Sequence, residues 1–411
     1  MGKRGELIVG LDIGTTKVCA LVAEPTKENS LDIIGVGCHP SHGLRKGMVV
    51  NVEQTISSIK HAVEEAEMMA GCEIHSVYTG IAGSHIQGFD NQGVIALKHT
   101  EITSKDIEQV IETAKMVSLP PERQIIHVLP QEFIVDDQPG IKDPLGMAGK
   151  RLEVRVHIIT ASVTAVQNLV RCIQKAGLDV IELILQPLAA SESVLTEEEK
   201  ALGVGLVDIG GGTTDITIFT NNSLKYSTIL PIGGTNITND IAFGLRTPLS
   251  SAEKIKLNHG IAASAFLEGN EEIEIPSLGE KPPRRISRSV LAQIIEPRVE
   301  EMLCMIEQEL IHSQTKDMLA SGVVLTGGSS LLPGLIEMAE QLFDLPVRIG
   351  YPHGIGGLID VIRNPIYATA VGLAKYGFKI QSGKGLQGWR KQPVWQRFID
   401  NLKRWLKEAF F

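Results

Sequence analysis

Two segments of the chain read alike, Asp12-Ile-Gly-Thr-Thr-Lys17 and Asp208-Ile-Gly-Gly-Gly-Thr-Thr-Asp215. Each follows an apolar run, Leu7-Ile-Val-Gly-Leu11 in one case and Leu202-Gly-Val-Gly-Leu-Val207 in the other. Such runs, bounded by turn signals, predict buried strands. Glycines at the strand ends let the backbone approach an anion closely, with N–H groups turned inward. Thr15, Thr16, Thr213 and Thr214 add hydroxyl donors. Asp12 and Asp208 would repel bare phosphate, so carboxylates there make sense if Mg²⁺, or water on Mg²⁺, lies between. One such loop is ordinary turn punctuation. Two of them, one near the start of each half, predict a duplicated core that clamps one nucleotide between related domains.

At 411 residues the chain is too long for one ordinary core, so two or more domains are expected. Five scattered cysteines (Cys19, Cys38, Cys72, Cys172, Cys304) form no Cys-x-x-Cys pair, which fits reduced thiols in a cytoplasmic protein. Cys38, His39 and His42 lack a second ligand cluster and read as a surface loop rather than a metal site. No targeting segment, myristoylation signal or apolar run of transmembrane length is visible.

Charge is unevenly placed. Residues 379–411 hold eight Lys/Arg and two acids, a net +6, which leaves −15 of the total −9 on the preceding body. An acidic body makes nucleic acid an unsuitable partner. All three tryptophans (Trp389, Trp395, Trp405) also fall in this tail. Residues 379–393, with Gly383, Gly385, Gly388 and Pro393, read as a flexible linker. Beyond it Trp395, Phe398, Ile399, Leu402, Trp405 and Leu406 follow helical spacing, with Lys403 and Lys407 on other faces. An aromatic apolar face opposite a basic one predicts a helix lying in the headgroup region of anionic lipids. One such helix binds modestly, so firm attachment implies several copies acting together.

Other pieces accompany the loops. Gln186-Pro187 follows the apolar run 180–185, and Pro231-Ile-Gly233-Gly234 resembles a turn before a helix. Glu253 and Lys256 sit three apart on one helical face. Gly327, Gly328 and Ser329 follow another short strand, where the glycines would pass close to an adenosine and Ser329 could cap the helix behind it.

The order phosphate loop, Gln-Pro connection, phosphate loop, Glu-x-x-Lys helix and Gly-Gly-Ser loop resembles the actin-like ATPase superfamily. Within it the chain is similar to the FtsA family of bacterial cell-division proteins over about residues 6–378. The segments Val77–Ile86, Asp136–Met147, Arg151–His157 and Asn364–Ala374 carry the closer likeness. The resemblance implies an α/β, duplicated actin-like (ribonuclease H-like) two-domain ATPase fold with an inserted α+β subdomain and a C-terminal amphipathic helix. It places the first half in residues 1–83 and 162–199, the insert in 84–161, and the second half in 200–232 and 322–378. A smaller lobe follows at 233–321, then the linker 379–393 and the membrane-targeting helix 394–411.

Roles follow from the same resemblance. Asp12 and Asp208 would orient Mg²⁺ waters. Gly14, Thr15, Thr16 and Lys17, with Gly210, Gly211, Gly212, Thr213 and Thr214, would hold the β- and γ-phosphates of ATP. Gly233 and Gly234 belong to the same site, Glu253 and Lys256 would approach ribose and adenine, and Gly327 to Ser329 would pack on the base. Gln186 would stand near the attacking water together with Asp208. An amide orients water but cannot take its proton, so turnover is expected to be slow or negligible.

The implied function is a peripheral protein on the cytoplasmic face of the inner membrane. It would form head-to-tail filaments with itself, hold the FtsZ ring through the FtsZ C-terminal peptide, and recruit later divisome proteins. Arg284, Arg285 and Arg288 form a basic cluster suited to an acidic peptide. A pilus-assembly relative and a small-molecule kinase of the same fold are the alternatives.

Overall fold

The computed structural model describes residues 7–382, apart from 27, 29, 268, 270 and 278–281. The basic tail helix, with Trp395, Phe398, Ile399, Leu402, Lys403, Trp405, Leu406 and Lys407, lies outside the described residues.

The first apolar run forms β1 (Ile8–Ile13), buried along its length, and the glycine turn returns it into β2 (Lys17–Pro25). β3 (Leu31–Pro40) follows, and all three run antiparallel. Helix α1 (Val52–Ala70) starts where the Asn51 side chain accepts the Gln54 N–H and stops at Gly71, whose φ of 61° suits glycine. It leads to β4 (Ser76–Ile81), which joins β1 in parallel.

The chain then leaves this sheet. Strands β5 (Gln87–Ala96), β6 (Arg123–Val135), β7 (Gln138–Ile141) and β8 (Arg151–Ser162) form an antiparallel sheet in the order β5-β8-β6-β7. Helix α2 (Ser104–Ala114), held at its start by a Thr103–Asp106 capping box, covers it. Val110, Ala114, Phe133, Val154 and Val156 make a core separate from the rest. Helix α3 (Val163–Lys175) and strand β9 (Asp179–Leu185) bring the chain back to the first sheet, and α4 (Gln186–Val194) begins directly at its end.

The second half repeats the plan. β10 (Val204–Ile209), β11 (Thr214–Thr220) and β12 (Ser223–Leu230) are antiparallel. The helices α5 (Gly234–Leu245), α6 (Leu249–His259) and α7 (Arg288–His312) and the ribbon Glu272–Ile275/Arg284–Ser287 intervene. β13 (Val323–Thr326) then joins β10 in parallel, and after α8 (Leu335–Phe343) comes β14 (Val347–Ile349). The sheets run β3-β2-β1-β4-β9 and β12-β11-β10-β13-β14, with a two-residue strand, Gly356–Gly357, added beside β3. In both, the strands lie third, second, first, fourth, fifth in their order along the chain. The duplication of the loops is therefore a duplication of whole sheets.

Helix α9 (Ala368–Gln381) joins the halves. It packs on β1, where a side chain at Gly10 would stand 2.6 Å from the Ala370 carbonyl oxygen, and on α4, where one at Gly372 would stand 1.9 Å from that of Ala189. The helix runs three residues past 378, which corrects the start of the linker: Ile380 packs against the core and the Lys379 ammonium bonds Glu192. The inserted sheet also touches the second half. Gln131 Nε2 donates to the Leu224 carbonyl (3.1 Å), Lys142 Nζ to Ser223 Oγ (2.7 Å), and buried His157 bridges Asp90 (2.6 Å) and Ser227 (2.9 Å).

Candidate functional site

The two glycine turns face each other across a cleft between the halves. Both close in the same way. The Gly14 N–H donates to the Lys17 carbonyl at 2.9 Å, and the Gly210 N–H to the Thr213 carbonyl at 2.9 Å. Their tips meet: a side chain on Gly211 would lie 2.3 Å from Thr16 Cγ2, and one on Gly212 would lie 2.7 Å from Thr15 Cγ2. Glycine is required here by close approach rather than by backbone angle.

A cavity of about 400 Å³ lies beside this contact. Asp12, Gly14, Thr15, Thr16, Lys17, Gln186, Asp208, Gly210, Gly211, Gly212 and Thr213 line one part, and Glu253, Lys256, Gly327, Gly328 and Ser329 another. Residues distant in sequence thus share one chamber. Thr214, Gly233 and Gly234 stand behind its wall. Thr214 is buried and donates its hydroxyl to the Ile232 carbonyl (2.8 Å), fastening the turn before α5. Gly234 lets α5 approach the second hairpin: its N–H donates to the Gly210 carbonyl (2.9 Å), and a side chain there would lie 2.3 Å from Ser329 Oγ. Ser329 does not cap α8, which starts at Leu335 with Gly334 before it and no side-chain cap; its hydroxyl instead donates to the Gly210 carbonyl at 3.1 Å.

The acidic pair is held symmetrically. Gln186, the first residue of α4, donates Nε2 to Asp12 Oδ1 at 3.0 Å. Thr369, at the start of α9, donates Oγ1 to Asp208 Oδ2 at 3.2 Å. Gly80 on β4 makes room for Gln186, since a side chain there would meet Cγ at 2.6 Å. Burial pushes both carboxyl groups up to about 6, opposed by Lys17 and, for Asp208, reinforced by Asp12. Asp215 also lines the cavity. Burial and the nearby Asp208 push it well above the usual range, and its Oδ1 has no hydrogen-bond partner among the described residues.

Lys17 reaches the Ile366 carbonyl and lies over the Tyr367 ring, 4.6 Å from its centroid. Lys256 Nζ joins Glu253 Oε2 (2.8 Å), Thr238 Oγ1 (2.9 Å) and the Gly234 carbonyl (3.1 Å), so this pair is part-buried rather than a surface ion pair. Sequence reasoning missed Thr369, Asp215, Gly80 and Thr235 as cavity or support residues; Thr369 holds Asp208 as Gln186 holds Asp12, a parallel seen only in the folded chain.

The basic cluster lies elsewhere, on the lobe of α5–α7. Arg284 reaches the Leu245 carbonyl at the end of α5, and Arg285 is exposed. Arg288 is committed internally to the His259 carbonyl (3.0 Å) and Glu271 (3.3 Å). Beside Leu245, Phe243 is 87% exposed, an apolar feature that the sequence reading did not single out. Cys38 and His39 sit in β3 rather than in a loop. Among the described residues there is no group of three or more His, Cys, Asp or Glu arranged to hold a metal, and no helix long and apolar enough to cross a membrane.

Comparison with known proteins agrees with this architecture. The family model for cell division protein FtsA matches residues 205–372, and that for the SHS2 domain inserted in FtsA matches residues 83–160. Cell division protein FtsA of Pseudomonas aeruginosa is 46% identical over 99% of both chains, and that of Escherichia coli K12 is 41% identical over 98% of both. Among solved structures, the PilM-PilN type IV pilus biogenesis complex superposes with a TM-score of 0.66 at 18% identity, covering 90% of this chain and 98% of that one. MreB5 of Spiroplasma citri bound to ADP gives 0.57 at 15% identity, covering 92% and 98%. The fold is thus the actin-like one, and the full-length identity shows that the chain belongs to the FtsA family of cell-division proteins.

Proposed function

We propose that the cleft binds ATP with Mg²⁺ and turns it over slowly, and that nucleotide-bound chains assemble head to tail on the cytoplasmic face of the membrane to anchor the FtsZ ring. The observation that carries this reading is one cavity lined by both glycine hairpins and by the buried pair Asp12 and Asp208. The residues fit the ligand. Crowded glycines leave backbone N–H groups close to any anion seated there, and the unpartnered Asp215 oxygen suits a hydrated cation. Asp12 and Asp208 would hold the cation's waters, the two hairpins and Lys17 the phosphates, and Glu253, Lys256 and Gly327–Ser329 the nucleoside. Mg²⁺ would neutralise phosphate charge and bring it to terms with the carboxylates.

Gln186 already donates to Asp12, so it positions a neighbour without removing a proton. Turnover should therefore stay below about one per second, a low enzyme rate. Faster steady-state hydrolysis would overturn that part. MreB5 has been solved with ADP and MamK as a double helical filament, which supports nucleotide binding and polymerisation in this fold.

The lobe bearing Arg284 and Arg285 is suited to an acidic FtsZ C-terminal peptide, with exposed Phe243 offering an apolar contact beside them, and the inserted subdomain to later divisome proteins. Residues 84–161 and 233–321 would be these two modules. The test is co-sedimentation with anionic liposomes, comparing the full chain with one ended after Ser382, with and without ATP. Binding by the full chain alone, stronger with ATP, is expected. Equal binding by both chains would remove the tail from the anchor.

A further inference from the structure

Behind the first hairpin stands a thiol pair that nucleotide binding leaves unused. Cys19 on β2 lies directly opposite Cys38 on β3, with the sulfur atoms 2.9 Å apart and both residues free thiols. The Cys38 N–H donates to Glu65 Oε2 on α1 (2.8 Å) instead of to β2. The pair therefore occupies a position where the ladder makes no backbone bonds. At such positions the facing Cα atoms of antiparallel strands approach to about 4.5 Å, within the span of a disulfide.

The pair is wired to the cleft. Tyr367 and the Cys38 thiol interact electrostatically, burial and the thiols raising the phenol, and the ring of the same tyrosine carries the Lys17 ammonium, 4.6 Å from its centroid. In register, Cys19 faces Asp12 as Asp215 faces Asp208, so the thiol takes in the first half the place of a cavity carboxylate in the second. Cys38 is partly exposed and Cys19 fully buried, which makes Cys38 the entry point for a small oxidant.

We propose that Cys19 and Cys38 form a reversible disulfide on exposure to hydrogen peroxide, and that the bond weakens nucleotide binding by loosening Tyr367 and Lys17. The Cys38 sulfur attacks one peroxide oxygen and the O–O bond breaks, giving a sulfenic acid and one water that carries the thiol proton. The Cys19 sulfur then attacks the Cys38 sulfur, the S–O bond breaks, and a second water leaves with the Cys19 proton. Two thiols lose two electrons and the peroxide gains them. A thiol reductant restores the pair by exchange. Bond formation stands on the strand geometry alone, while its effect on the cleft rests on the nucleotide reading.

The experiment takes full-length protein, treats it with hydrogen peroxide, blocks remaining thiols and analyses unreduced peptides by mass spectrometry. A fluorescent ATP analogue is titrated into the reduced, oxidised and re-reduced samples and into Cys38→Ser and Cys19→Ser. A linked peptide pair containing Cys19 and Cys38 is expected, absent from both variants. Affinity should fall by about threefold or more, the scale of one loosened cationic contact, recover on reduction, and ignore peroxide in Cys38→Ser. Sulfinic acid at Cys38 with no link to Cys19 would overturn the disulfide. A verified link with unchanged affinity would overturn the coupling. If the reduced protein binds no nucleotide, the nucleotide reading fails while the linked peptide still decides the disulfide.

Discussion

Asp12 and Asp208 are charged groups that the fold buries, and burial sets their response to pH. Both are pushed up to about 6. A raised acid stabilises the fold fully below its unfolded value near pH 4, and that contribution is lost as pH rises through 6. Protein stripped of divalent cations should therefore gain thermal stability between pH 7 and pH 5 from these two groups. Asp208→Asn, which can still accept from Thr369, should raise the melting temperature at pH 7 by relieving on the order of 1–2 kcal/mol, and do little at pH 4.5. Binding of Mg²⁺·ATP should move oppositely, weakening about tenfold per carboxylate from pH 7 to pH 5 as the acids take up protons. Thermal scans and nucleotide titrations at three pH values check both; a flat affinity profile would deprive the pair of its cation role. These two aspartates were legible because glycines flag the strand ends on which they sit. Thr369 was not, because it opens an ordinary helix and meets Asp208 from 161 positions further along the chain.

At the scale of elements, the contact of α4 with α9 is the tightest test. Glycine inside a helix normally costs about 1 kcal/mol relative to alanine, so Gly372→Ala should stabilise if propensity decided. The added carbon would stand 1.9 Å from the Ala189 carbonyl oxygen, so the substitution should instead destabilise by about 1–3 kcal/mol. Chemical denaturation gives the sign directly. A second test concerns the seam between the inserted sheet and β12. Ser227→Ala leaves buried His157 Nε2 without its partner and should cost about 1–3 kcal/mol, with cleavage by a protease in the 87–162 segment becoming faster. The strands themselves were legible from apolar runs and turns. The seam was not, since Gln131, Ser223 and His157 are polar residues whose pairing depends on how two separate sheets dock. The last turn of α9 was not legible because half-buried Ile380 is held by contact with the core and not by local pattern.

Over the whole molecule the hairpin tips decide how the halves respond to ligand. Thr15 and Thr16 rest against Gly212 and Gly211, so Gly211→Val would prop the halves apart. Mg²⁺·ATP at a hundredfold excess over its dissociation constant should stabilise the normal chain by about 2.7 kcal/mol, seen as a melting shift of a few degrees, and the variant much less. An equal shift in both would mean that ligand binds one half alone. The two-sheet plan was legible in the repeated loops, whereas the mutual closure of the tips was not, because it is a contact between surfaces rather than a pattern along the chain.

Helix α9 has a further consequence, for synthesis. Ala370, Val371, Leu373 and Ala374 complete the core formed by Ile8, Leu21, Ile33 and Tyr78, so the earliest strands to leave the ribosome are covered by the last described helix. Residues 204–349 hold all five strands of the second sheet and can close it before α9 emerges. The first half must wait with an apolar face bare. A nascent chain interrupted before residue 368 is then a client for chaperones and proteases rather than a partial protein, which limits what reaches the cell as folded molecules to chains whose synthesis has passed that point.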